Sequence, residues 1–95
     1  MAASNKCPVW CDQRHPDGAV HRGEVGETTV SGLRIPVVIL QVPGGPADVA
    51  ISGPVYVEIH ADDRDDMAEL LGLAGQHALA GLVRQADALA RGGAQ

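Results

Sequence analysis

Cys7, Cys11, His15 and His21 gather both cysteines and two of the four histidines of this chain into fifteen residues. The pattern Cys-x3-Cys-x3-His-x5-His supplies two thiols and two imidazoles, the ligand set of a closed tetrahedral zinc site. Zinc takes thiolates and neutral imidazoles at about 2.0–2.3 Å, and short loops gather such groups with little loss of chain entropy. Pro8 stiffens the turn after Cys7, and Trp10 is placed to shield the thiolates from water. Four protein ligands leave no open position, so the expected metal is structural. A catalytic site would need three ligands and a water, with Asp12 or Asp17 as base, and no substrate pocket can be argued from the sequence. Two other readings remain open. The cysteines can be ordinary thiols beside surface histidines, or Cys7 and Cys11 can form a disulfide, which requires an oxidising compartment.

The rest of the chain bounds what surrounds that cluster. Ninety-five residues make a single domain spanning 1–95. Apolar residues are 45% of it, yet there is no Phe, one Trp (Trp10) and one Tyr (Tyr56), so the core must be aliphatic. Small side chains bury less area each, so such a chain gains from a metal staple or from self-association. The net charge of −5 disfavours nucleic-acid binding, although Lys6, Arg14, Arg22 and Arg34 all lie in the first third. No apolar run is long enough to span a membrane. MAASNK lacks an apolar signal core, so the expected compartment is the cytoplasm, where paired cysteines are more often ligands than disulfides.

Along the chain, residues 1–6 read as a disordered lead and 7–23 as a metal-binding loop broken by Pro8, Pro16, Gly18 and Gly23. Residues 25–30 are a weak strand candidate. RIPVVILQV (34–42) is the strongest, apolar on both parities as for a strand covered on both faces, with Pro36 at an edge or bulge. ADVAIS (47–52) follows the Pro43-Gly44-Gly45-Pro46 turn. In 54–60, Val55, Val57 and Ile59 alternate with Tyr56, Glu58 and His60. Asp62 or Asp63 caps a helix over 64–91, which Gly92-Gly93 ends. Gly72, Gly75 and Gly81 within it either admit a close neighbour or mark a kink. The expected fold is α+β: a zinc-stapled N-terminal loop, a three- to four-stranded antiparallel meander over 25–60, and one long C-terminal helix packed on the sheet.

Other chemistry-bearing residues have plainer explanations. His60 ends a strand before the capping acids of the 62–66 run. His77 reads as a partly exposed helix residue, and Tyr56, Glu58 and His60 as a solvated sheet face. Cys11 and His15 make only a weak nucleophile pair without an orienting third group. The Pro43–Pro46 turn is no phosphate loop, since neither Lys-Ser/Thr nor a helix follows it.

The opening Cys7-Pro8-x-Trp10-Cys11, with His15, Asp17-Gly18 and His21-Arg22, resembles an uncharacterised family of small actinobacterial proteins. Many members start with this motif, pass through a β-rich middle and end in an Ala/Leu-rich helix. The outline covers the whole chain, but only the motif is specific. The resemblance implies zinc ligands at Cys7, Cys11, His15 and His21, the same fold order, and a regulatory or interaction role. The functional expectation is a small, non-enzymatic, zinc-binding module that contacts a protein partner or a second copy of itself. A nucleic-acid-binding regulator is the alternative, and a small metal-dependent or thiol-redox enzyme stands behind it.

Overall fold

The computed structural model describes residues 8, 10, 11, 20–42, 44–54 and 56–92. Four strands, β1 (His21–Val30), β2 (Leu33–Gln41), β3 (Ala47–Ser52) and β4 (Tyr56–Ile59), form one antiparallel sheet in sequence order. A short 3-10 turn at Ala61–Asp63 leads into α1 (Arg64–Leu73) and then α2 (His77–Ala90). The fold is α+β with a four-stranded meander, as expected.

Local chemistry accounts for the turns. Ser31 and Gly32 both have positive φ (53° and 82°), the backbone of a two-residue I′ turn whose twist matches that of paired strands. The β2–β3 register starts at Val37↔Ile51, one residue after Pro36, so the proline lies outside that ladder.

The expected single helix over 64–91 is two helices. Gly75 has φ of +85°, Gln76 N–H donates to Leu71 C=O at 2.8 Å, and Gly75 N–H donates to Gly72 C=O at 3.0 Å. This is the Schellman arrangement, in which a left-handed glycine closes a helix by satisfying its last carbonyls. His77 therefore begins α2 rather than lying mid-helix. Asp63 occupies the cap of α1, but its side chain makes no capping hydrogen bond.

The core lies between one sheet face and the helices. Val37, Ile39, Val49 and Ile59 meet Ala68, Leu79, Val83 and Ala86. It is aliphatic throughout, as the lack of phenylalanine requires. A bulge at Val25, where Glu24 pairs with Val38 and Gly26 with Val37, lets α2 settle onto β1. A side-chain carbon on Gly26 would stand 2.6 Å from Leu82 Cδ2, so this glycine makes room for the helix. On the opposite sheet face Val38 and Ala50 are also fully buried, which agrees with β2 being apolar on both parities.

Candidate metal centre

His21, Arg22 and Gly23, expected in the N-terminal loop, are the first three residues of β1, which starts at 21 rather than 25. The reason is pairing. His21 faces Gln41, Arg22 faces Leu40 and Gly23 faces Ile39, so β1 runs the full length of β2. A residue with little strand propensity of its own is recruited by the ladder beside it. The last residue of the motif thus sits on a paired strand.

Trp10 and Cys11 lie against this end of β1. Cys11 N–H donates to Pro8 C=O at 3.0 Å, closing a turn. Trp10 packs on the edge of the core. A side-chain carbon on Gly23 would fall 1.7 Å from Trp10 O and 2.7 Å from Trp10 C, so only glycine lets the Trp10 backbone rest there. Gly23 is paired with core-facing Ile39, and His21 is two residues away on the same face. Trp10, Cys11 and His21 therefore lie on the helix side of the sheet.

Cys11 is buried, with 7% of its surface exposed, and its Sγ stands 3.7 Å from His21 Nδ1. Two zinc ligands at about 2.3 Å (S) and about 2.0–2.1 Å (N), separated by a tetrahedral angle, stand about 3.6 Å apart. The observed spacing is that of a thiol–imidazole hydrogen bond, and it equals the length expected for one edge of such a tetrahedron. Cys7 and His15 lie outside the described residues. The structure thus brings together two of the four expected ligands, separated by nine intervening residues. The nucleophile reading of Cys11 with His15 likewise involves a residue outside the described ones.

Other candidate residues stand apart from this centre. His60 is exposed at the end of β4, and among the described residues no cluster of three or more His, Cys, Asp or Glu gathers as a metal site. Tyr56 and Glu58 are exposed on the helix-free sheet face, where the Tyr56 hydroxyl donates to Glu58 Oε2 at 3.2 Å. Burial, and then the Glu58 carboxylate, push the Tyr56 hydroxyl above its ordinary value of 10.0. Arg34 and Glu27 form an exposed ion pair across the β1–β2 hairpin.

Arg64 was missed in the sequence. It is the one base inside the acidic run 62–66, and it is 2% exposed. Its Nε donates to Ile59 C=O at 3.2 Å, one terminal nitrogen to Ala47 C=O at 2.8 Å, and the other to Asp87 Oδ1 at 3.2 Å. One guanidinium thus ties the ends of β3 and β4 to both helices. The only available signal was a lone Arg among carboxylates at a strand-to-helix junction.

No family model matches the chain, and no curated protein or solved structure is detectably similar to it. None of the helices among the described residues is long and apolar enough to cross a membrane.

Proposed function

We propose that the protein is a small, non-enzymatic interaction module of the cytoplasm. Its N-terminal segment is held to the sheet by a structural zinc ion bound by Cys7, Cys11, His15 and His21. The observation that carries this reading is the 3.7 Å separation of Cys11 Sγ and His21 Nδ1, on a strand end where Gly23 makes room for the Trp10 backbone. The ion would supply four ligand bonds that order the segment, and much of that order would come with the metal. The buried Cys11 suits a structural ligand better than a reactive thiol, which needs an accessible, electropositive setting. The resemblance of the opening motif to the small actinobacterial family points the same way.

Partner proteins fit the surface chemistry better than nucleic acid does. Among the described arginines, Arg34, Arg64, Arg84 and Arg91 all pair with carboxylates, which leaves Arg22 alone to meet a phosphate.

Native mass spectrometry of the untagged protein tests the proposal. One zinc per chain, absent from Cys11→Ser and His21→Ala, is expected. A metal-free chain two mass units light would mean a Cys7–Cys11 disulfide and would overturn it.

A further inference from the structure

An imidazole offers a metal two different nitrogens, and the geometry at His21 singles out one. The ring atom that stands 3.7 Å from Cys11 Sγ is Nδ1. Nδ1 is bonded to the ring carbon that joins the side chain, so a metal there lies closer to the strand backbone than one on Nε2. The chain around it suits that closeness. Gly23 lets the Trp10 backbone rest on β1, and Cys11 follows directly, on the near side of the imidazole.

A neutral imidazole carries one proton, so a metal on Nδ1 leaves that proton on Nε2. A ligating histidine donates its second N–H to an acceptor, which fixes both the tautomer and the ring orientation. The β1–β2 ladder supplies an acceptor. His21 faces Gln41, and residues directly opposite share a face with Cβ atoms about 4.5–5.5 Å apart. Both residues are half-buried. The Gln41 carboxamide is oriented by the turn that follows β2. Its Nε2 donates to Gly45 C=O at 2.7 Å, and Gly45 N–H donates in turn to Val42 C=O at 2.9 Å. The amide nitrogen of Gln41 is therefore engaged, while its carbonyl oxygen accepts no hydrogen bond from a described residue.

We infer that His21 binds zinc through Nδ1 and that Gln41 is a positioning residue whose Oε1 accepts the Nε2–H. Gln41 does not touch the metal; it acts through His21, by holding the tautomer that leaves the Nδ1 lone pair for the ion. The inference rests on the zinc reading, and adds to it the ligating atom and a residue outside the Cys-His motif.

Nuclear magnetic resonance of the zinc-loaded, isotope-labelled full chain tests it, because the ring-carbon shifts of a histidine differ between Nδ1 and Nε2 coordination. His21 should show the Nδ1 pattern. Gln41→Leu should weaken zinc binding about ten-fold in competition with a chromophoric chelator. Gln41→Glu keeps the acceptor and should bind nearly as tightly as the wild type. At neutral pH neither variant can donate to Gly45 C=O, so a role confined to bracing the turn would weaken both alike. The Nε2–H signal of His21 should be visible in the wild type and in Gln41→Glu, and lost to exchange with water in Gln41→Leu. Coordination of zinc through Nε2 of His21, a Gln41→Leu chain that binds as tightly as the wild type, or equal losses in the two variants would overturn the inference and leave the zinc site standing. A wild-type chain that binds no zinc would overturn the reading beneath it as well.

Discussion

Replacing Arg64 by alanine removes one side chain that four elements share, and the cost can be worked from its partners. Ile59 C=O and Ala47 C=O lose their guanidinium donors in a region where Arg64 is 2% exposed. A buried acceptor left without a partner costs about 1–3 kcal/mol. Asp87 is about a quarter exposed and keeps Arg91 Nε at 2.8 Å, so its carboxylate is not stranded and adds little. The sum is about 3 kcal/mol, at the lower end of what breaking a buried ion pair costs. A domain of 95 residues loses about 4–8 °C of thermal midpoint per kcal/mol, so the expected fall is about 12–24 °C. Urea unfolding followed by circular dichroism at constant slope gives the free energy directly. Arg64→Lys should recover less than half of the loss, because a compact ammonium cannot reach three acceptors on three elements. An Arg64→Ala loss below about 1 kcal/mol, or an Arg64→Lys protein as stable as wild type, would refute the view that this guanidinium locks the sheet to the helices.

Three further outcomes are expected. Gly23→Ala should cost about 1–3 kcal/mol and redden the emission of Trp10, the single tryptophan, since the added carbon collides with its backbone; an unchanged spectrum would show that the segment packs differently. Gly75→Ala should destabilise by about 1 kcal/mol, read as a lower urea midpoint, because its φ of +85° is strained for any side chain; no loss would count against the left-handed cap. The single tyrosine should ionise above pH 10 in an absorbance titration, since burial and Glu58 favour its neutral form in the fold. Its contribution to stability is then complete below the unfolded value of about 10 and is lost as pH rises through the folded one. Glu58→Gln should bring that midpoint down without restoring the ordinary value, because burial remains; an unmoved midpoint would rule out the carboxylate as a cause.

Much of the fold was legible because it depends on neighbours in the chain. The strands at 34–42 and 47–52 were visible as short apolar runs bounded by turn residues, and the one around Tyr56–Ile59 as an alternation with a period of two. The helix stop read at Gly92 is local in the same sense, whereas the positive-φ turn at Ser31-Gly32 was not read from the sequence. Gly75 was visible as a glycine and as one candidate kink, but its role as a helix stop depends on hydrogen bonds from Gly75 and Gln76 back to Gly72 and Leu71. Helix periodicity continues across it, so pattern alone reads one helix where the backbone makes two.

The sequence by itself determined an aliphatic α+β domain, its strand order, and the residue types of a Cys2His2 motif, because composition, spacing and hydrophobic period are properties of the chain. Only the tertiary structure decided that β1 begins at His21, that Gly23 must lack a side chain to admit Trp10, that Cys11 meets His21, and that Arg64 is a buried clamp. Each of these is settled by a partner remote in sequence: the β2 ladder for His21, the Trp10 backbone for Gly23, and the Ala47 carbonyl for Arg64. Local propensity carries no information about which distant atom will come within hydrogen-bonding or van der Waals reach, and that is what places a strand end, a ligand pair or a buried charge.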